Sequence, residues 1–358
     1  MSARKTVMVA MSGGVDSSAA AAFLVEEGYR VLGVTFLLAE VSPPQGRDAS
    51  GEYHYMERAR QAAESLGIEH RVLDLREDFL SAVVMPFTAE YLRGRTPNPC
   101  VECNHRVKFP ALMRAAADAG ADYLATGHYA RVEKGNDGTC SLLRGRDAGK
   151  DQSYVLYRLG QEVLGRCLFP NGERTKEEVV AAARERGLPV DSMRESQDIC
   201  FLAGTDYRDF LLSRCPQCRA PGPLLDTEGR VLGQHEGMAF YTVGQRRGLG
   251  LSFPHPMYVV RLDPECNAVV LGGKEEVPGT WLRAEDASWI RGEPPAASFR
   301  AEAVARYNAV AVPCRVEVEE GGFTLSFDSP VWALTPGQHA VIYQGEEVLG
   351  GGIIASVR

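Results

Sequence analysis

The chain has no run of about 20 apolar residues, so its sequence offers no membrane span. Its first residues, MSARKTVMVAMSGG, have too short an apolar stretch before the glycines for a secretory leader, and the cytoplasm is the expected compartment. Cysteine is sparse and odd in number, nine in 358 residues. That excludes a small disulfide-stapled scaffold and turns the thiols toward chemistry or metal binding. No repeat of fixed period and no low-complexity tract occurs. A surplus of positive charge is also missing: 39 basic and 47 acidic residues leave a net charge of −8. Non-specific coating of nucleic acid is disfavoured, although a local basic groove is not. What remains, 45% hydrophobic and 24% charged, is an ordinary globular composition with length for two or three domains.

The pattern along the chain has two characters. Residues 5–11 and 30–38 read as buried strands, separated by a helix from Ser17 to about Glu27 that Gly28 ends. Residues 42–52 read as a loop, 53–66 as a helix, 70–75 as a third strand, 107–119 as an amphipathic helix and 122–128 as another buried strand. Pro97 and Pro99 argue against regular structure over 94–104. Apolar strands alternating with helices predict an α/β fold with a parallel sheet covered on both faces, continuing to about residue 200. Residues 215–250 are rich in Gly and Pro, and short alternating strands run from about residue 257 to the end. They predict a small closed antiparallel β-barrel. The expected division is 1–203, 204–265 and 266–358.

The sharpest local signal is Ser12-Gly13-Gly14-Val15-Asp16-Ser17, between a strand and a helix. Two glycines let the backbone approach a ligand, and the helix N-terminus adds N–H groups and positive dipole. Ser12, Ser17 and Ser18 add hydroxyls. The loop lacks the Gly-Lys-Ser/Thr ending of the Walker A motif and the Gly-x-Gly-x-x-Gly spacing of a dinucleotide fold. A plain strand–helix turn is the competing reading of the glycines alone. Asp16 unpaired beside phosphates would repel them, so a divalent cation, Mg²⁺, is the sensible companion.

Cys100 and Cys103 lie in Asn98-Pro99-Cys100-Val101-Glu102-Cys103-Asn104, and Cys200 in Ser196-Gln197-Asp198-Ile199-Cys200-Phe201. Thiols near Arg106 and Lys108 are candidates for lowered pKa values; burial as small hydrophobes is the alternative, strongest for Cys200. Arg93, Arg95, His105, Arg106 and Lys108 surround this loop. Arg144, Arg146, Lys150 and Arg158 form a second basic group, and Arg246 and Arg247 a third. Each group is a candidate phosphate-binding patch or simply solvated surface.

The six-residue loop resembles the pyrophosphate loop (PP-loop) of N-type ATP pyrophosphatases, which split ATP between its α and β phosphates and adenylate an acceptor. The strings MSGGVDSS, GRTPNPCVECNHRVKF, GADYLATGHYAR, LLRGRDAGKDQSYVLY, DICF, YTVGQRRGLGL and ARYNAVAVPC, in that order, resemble the tRNA-specific 2-thiouridylases over nearly the whole chain. The resemblance implies a PP-loop ATP pyrophosphatase domain, a small central tRNA-contacting domain and a C-terminal barrel. By resemblance, Cys103 is the nucleophile and Cys200 the persulfide carrier. Ala10, Met11, Ser12, Gly13, Gly14, Val15, Asp16 and Ser17, with Phe36 and Gly127, hold ATP. Asn98, Pro99 and Cys100 meet the target base. His128, Lys150, Asp151, Gln152, Arg306, Tyr307 and Gln338 contact tRNA.

Two departures stand out: Cys100 occupies a position where many relatives carry Asp, and Glu40–Tyr55 lacks the Cys and acidic pair that many carry. The implied reaction is adenylation of the wobble uridine followed by sulfur transfer to C2, ending in a Cys103–Cys200 disulfide. A sulfur-donor protein and the anticodon loops of Lys, Glu and Gln tRNAs are the implied partners. Cys100, Cys103 and Cys200 also admit a rival route, a [4Fe-4S] cluster with one open iron. Cys215 and Cys218 read as a solvent-side turn, with a four-thiolate zinc site joining Cys100 and Cys103 as a weaker reading. The competing functions are an adenylating ligase for a small metabolite and a zinc-stabilised RNA-binding module.

Overall fold

The computed structural model describes residues 4–39, 53–188, 199–202 and 206–358. Most of the variable segment after the second strand, and Ser196, Gln197 and Asp198 beside Cys200, lie outside the described residues.

Near the N-terminus five parallel strands lie in the order Glu69–Asp74, Arg30–Leu37, Thr6–Ala10, Tyr123–Ala125, Cys167–Leu168. Strand side chains alternate between faces, so one strand feeds two cores. Val7 and Val9 pack with the Ala-rich helix Val15–Glu26, whereas Met8 packs with Leu112 and Phe109 of the helix Phe109–Asp118. Strand order reverses between Thr6–Ala10 and its neighbour Tyr123–Ala125. At such a switch point the loops leaving the two strands splay to opposite faces and open a crevice beyond the carboxyl ends. The PP-loop leaves one of these strands and Thr126-Gly127-His128 the other.

A four-stranded sheet follows, in the order Tyr258–Asp263, Ala268–Gly272, Gly222–Asp226, Val231–His235. Six antiparallel strands between residues 279 and 357 form the barrel, which closes where Gly279–Trp289 pairs with Glu347–Val357. The hairpin Ala130–Lys134/Cys140–Arg144 adds to the barrel edge through Val348 opposite Leu142. No helix among the described residues is long and apolar enough to cross a membrane.

The structure departs from the sequence reading in four places. Pro99 starts a helix, Pro99–Cys103, instead of preventing one. Proline is well tolerated at the first helical position, and Asn98 caps it by accepting from the Cys100 N–H. The hairpin 130–144 is antiparallel and belongs with the barrel, although it lies in the stretch read as parallel α/β. The strands 258–263 and 268–272 belong to the central sheet, so the hairpin between them crosses the boundary expected at 265/266. Gly279–Trp289 is a long strand the pattern did not single out; its bulges break the alternation that marks a strand.

Candidate active site

The PP-loop is braced from within. The Ser17 and Ser18 hydroxyls both donate to the Gly14 carbonyl at 3.0 Å, and Ser17 Oγ accepts from the Ser12 N–H at 3.1 Å. Ser17 and Ser18 are buried, and these hydrogen bonds hold the loop's shape. Gly13 sits at φ +70°, and a Cβ there would lie 2.0 Å from the Tyr55 carbonyl oxygen. Gly14, the N-cap of Val15–Glu26, supplies no side-chain cap. The first N–H groups of that helix therefore lack the side-chain acceptor that most helices provide, an arrangement suited to phosphate oxygens.

Asp16 is not unpaired. Lys176 Nζ lies 2.7 and 2.8 Å from its two carboxylate oxygens, and the Tyr129 hydroxyl donates to one of them at 2.7 Å. Charge repulsion by a bare Asp16 therefore does not by itself demand a metal. Asn171 is fully buried and donates through one amide nitrogen to the carbonyls of Asp16 (3.0 Å) and Gly127 (2.9 Å), tying the two crevice loops together. Gly127 permits this approach: a Cβ there would fall 2.7 Å from Asp16 and Ser17 backbone atoms. Lys176, Tyr129 and Asn171 escaped the sequence reading. Thr175-Lys176-Glu177-Glu178 advertises a helix start, and Thr175 and Glu178 do form a capping box, but nothing in it says where Lys176 reaches.

A cavity of about 440 Å³ joins the two chemistries. The PP-loop residues Ala10, Met11, Ser12, Gly14, Val15, Asp16 and Ser17 line it, with Phe36, Gly127, His128, Gln152, Lys108, Cys200 and Phe201. Cys103 is buried, and burial pushes its thiol up to about 12 against the opposing influence of Lys108. Cys100 is exposed, yet the packing around its thiol raises it despite Lys108; of the three thiols only Cys200 lines the cavity. The expected lowering of these thiols fails because burial outweighs the nearby cation. Arg106 contributes little to the thiols, since its guanidinium is committed to Glu102 at 2.6 Å. Cys200 is exposed, and Cys100, Cys103 and Cys200 lie within electrostatic reach of one another and of Lys108. All three are free thiols.

The described residues contain no group of three or more His, Cys, Asp or Glu arranged to hold a metal. Cys100, Cys103 and Cys200 thus do not form a ligand set for the [4Fe-4S] cluster entertained above, and the four-thiolate zinc site is not assembled either. Cys215 and Cys218 do form a turn, yet both are buried in the core with Leu211, Leu224 and Phe240 instead of facing solvent. Burial and a hydrogen bond between the pair push Cys218 up to about 12.

The residues matched to RNA contact divide into groups. His128 and Gln152 line the cavity; burial holds His128 down to about 3, and Thr126 Oγ1 lies 2.7 Å from its Nδ1. Asn98 and Pro99 begin the cysteine helix. Arg306 is exposed and Tyr307 and Lys150 are half-buried. Asp151 accepts from Arg144, Ser153 and the Gly145 N–H, and Gln338 is buried with its amide donating to the Thr96 carbonyl at 2.8 Å. Arg158, read as part of a basic patch, is 7% exposed and bridges Glu102 (2.8 Å) to Asp286 (2.7 Å) of the barrel.

Three family models match in succession: a tRNA methyl transferase HUP domain over residues 5–204, a tRNA methyl transferase PRC-barrel domain over 208–273 and an aminomethyltransferase beta-barrel domain over 280–354. A tRNA-specific 2-thiouridylase MnmA of Moorella thermoacetica is 50% identical over 358 residues, covering 98% of this chain and 99% of that protein. The chain belongs to the tRNA-specific 2-thiouridylase family. Relatives of the same name from Geobacter metallireducens and Carboxydothermus hydrogenoformans are 48% and 47% identical, each matching 98% of this chain and 97% and 98% of their own lengths. Among solved structures, a 4-thiouridine synthetase–RNA complex with bound ATP aligns at TM-score 0.38 and 18% identity over 60% of this chain and 51% of that one, too distant to bear on the site. The family models are described by methyl transfer, whereas the relatives matched end to end are named for thiolation.

Proposed function

We propose that this chain is a tRNA-uridine 2-sulfurtransferase that spends ATP to replace the C2 oxygen of the wobble uridine, position 34, with sulfur. The observation that carries the reading is the shared cavity, which joins a phosphate-binding loop to a cysteine far away in sequence. A uridine C2 carbonyl is a poor electrophile, and its oxygen is a poor leaving group. Attack of that oxygen on the α-phosphate of ATP, with pyrophosphate leaving, corrects both faults. Residues 10–17, Phe36 and Gly127 bind and orient the nucleotide, and the uncapped helix start receives its phosphates. Mg²⁺ entering with the triphosphate supplies charge neutralisation. Both Asp16 oxygens are held by Lys176, so such an ion would take its ligands from phosphates and water.

Sulfur arrives on Cys200 as a persulfide from a donor protein, a cysteine desulfurase or a relay protein. Its terminal sulfur attacks C2, the C2–O bond breaks and AMP departs. The Cys103 thiolate then attacks Cys200 Sγ, and the sulfur now on C2 leaves with the S–S electron pair as 2-thiouridine. A Cys103–Cys200 disulfide remains, which a dithiol reductant resets. Asn98, Pro99 and Cys100 flank the base, which must leave its stack to enter; that costs less in an anticodon loop than in a duplex. The Lys, Glu and Gln tRNAs are the proposed substrates. Arg306 and Tyr307 meet RNA on the barrel, His128 and Gln152 in the cavity, and Lys150 on the loop after Cys140–Arg144. Asp151 and Gln338 serve by holding loops in place. Incubation with ATP, inorganic polysulfide as the sulfane-sulfur source, a dithiol reductant and unmodified tRNA, followed by nucleoside mass spectrometry, is expected to yield 2-thiouridine at position 34. AMP formation on a small metabolite, with no thiolated tRNA, would overturn the reading.

A further inference from the structure

We propose that Lys108 is the counter-ion of the sulfur in transit: its ammonium pairs with the anionic terminal sulfur carried on Cys200 and holds it in the cavity. The proposal rests on the thiouridylase reading, which says why sulfur is there. Lys108 ends the turn Asn104–Lys108 that follows the cysteine helix, and its side chain lines the same cavity as Cys200 and the PP-loop. Among the other cations, Arg58 also lines the cavity, but at the phosphate loop, where its Nε donates to the Gly13 carbonyl at 3.1 Å, and three more are paired with acids. Arg106 pairs with Glu102, Arg158 with Glu102 and Asp286, and Lys176 with Asp16. Lys108, by contrast, has no hydrogen bond to any side chain and no carboxylate partner among the described residues.

The titratable groups facing Lys108 are Cys100 and Cys103 from the preceding turn, Cys200 from the segment 199–202 and His128 from the loop after Tyr123–Ala125. His128 is held neutral by burial, so it offers no charge to pair with. Burial works against the Lys108 charge, and sulfur favours it only when a facing sulfur is itself an anion, which then raises the Lys108 pKa. A cation kept out of bulk water without a counter-charge is costly and calls for an anion. The phosphate end of the cavity has its own donors in the uncapped helix start. At the thiol end, the first anion to form is the terminal sulfur of a persulfide, because persulfides are more acidic than thiols.

The test uses the full-length, reduced protein with neither ATP nor tRNA. Inorganic polysulfide supplies the sulfur: the Cys200 thiolate takes one sulfane sulfur, and a polysulfide one sulfur shorter leaves. The rate at which iodoacetamide traps the Cys200 persulfide is then followed against pH by peptide mass spectrometry, for the native chain, Lys108→Met and Lys108→Arg. The Met variant, nearly equal in volume, is expected to raise the midpoint by about one pH unit, which slows trapping about tenfold below the midpoint. The Arg variant is expected to restore it. Superimposable profiles for the native and Met proteins would overturn the proposal. Buried Cys140, Cys167 and Cys314 report folding in the same digest, since they stay unlabelled only in a folded chain. If Lys108→Met unfolds, Lys108→Gln carries the same comparison. A native chain that failed to thiolate tRNA would defeat the functional reading while leaving this profile to judge Lys108.

Discussion

At the phosphate end of the cavity, Asp16 has Lys176 and Tyr129, Asn171 ties Asp16 to Gly127, and the serine hydroxyls close the loop on itself. At the sulfur end, three free thiols lie within electrostatic reach of one another and of an ammonium with no carboxylate partner among the described residues. The first end is prepared before any ligand arrives, as suits a site whose task is to hold a charge pattern that every ATP brings. The second is quiet by construction: burial keeps Cys103 protonated near neutral pH, so it does not attack until the local charge changes. Preorganised donors serve the activation step, whereas suppressed thiolates protect a sulfur carrier from side reactions.

Cysteine substitution is the strongest way to break this contrast. Cys200→Ser is expected to reduce 2-thiouridine formation by at least about a thousandfold, measured by nucleoside mass spectrometry, because oxygen cannot carry the sulfane sulfur. Pyrophosphate release driven by tRNA is expected to survive, since that half of the site is intact. Lys176→Met tests the other end. It leaves Asp16 without its cation beside the triphosphate, and both pyrophosphate release and thiolation are expected to fall together by about a hundredfold. If only thiolation fell, the two ends would not be independent in the way the structure suggests.

Protonation gives a third, intermediate test. Cys103 is an acid whose folded pKa is raised to about 12, so its thiolate fraction climbs about tenfold per pH unit between pH 7 and 10. Its alkylation rate, read by peptide mass spectrometry, should follow that slope without levelling. The same shift favours the neutral thiol in the fold, so its contribution to stability is lost as pH rises above the ordinary thiol value of about 8.5. His339 works in the opposite direction. It is 1% exposed, burial depresses it to about 4, and its contribution is present above about 6.5 and lost as pH falls toward 4. Urea unfolding at pH 5 against pH 7.5 should show a loss to which His339 contributes about 2 kcal/mol and buried His128 adds, so His339→Gln should shrink the loss by about 2 kcal/mol without abolishing it. The smallest expected effect is at the barrel surface: Arg306→Ala should weaken tRNA binding about threefold and lower the salt slope by about one ion, with thiolation of saturating tRNA retained.

Much of the site was visible in the sequence. Ser12-Gly13-Gly14 between a strand and a helix announces a loop that a phosphate can approach, because the glycines and the helix start act locally. The parallel sheet follows from alternating strands and helices, whereas the strand order that makes the switch point does not. Other features were hidden because proline and charge have opposite meanings in different settings. Pro99 read as a breaker, yet it opens a helix because Asn98 caps it. Arg158 read as surface, yet it is buried between two acids. Cys215 and Cys218 read as exposed for their Pro-Gln surroundings, but Leu211 and Phe240 cover them.

The sequence by itself determined the local geometry: the turn of the PP-loop, the α/β alternation and most of the barrel strands. Each depends on neighbours a few residues apart, where backbone sterics and side-chain period act directly. Only the tertiary structure decided which distant groups meet. Lys176 reaches Asp16 across 160 residues, Cys200 enters the cavity of the N-terminal loop, and Lys108 has no carboxylate partner among the described residues. Electrostatic pairing and desolvation depend on distance in space, which a linear pattern does not encode.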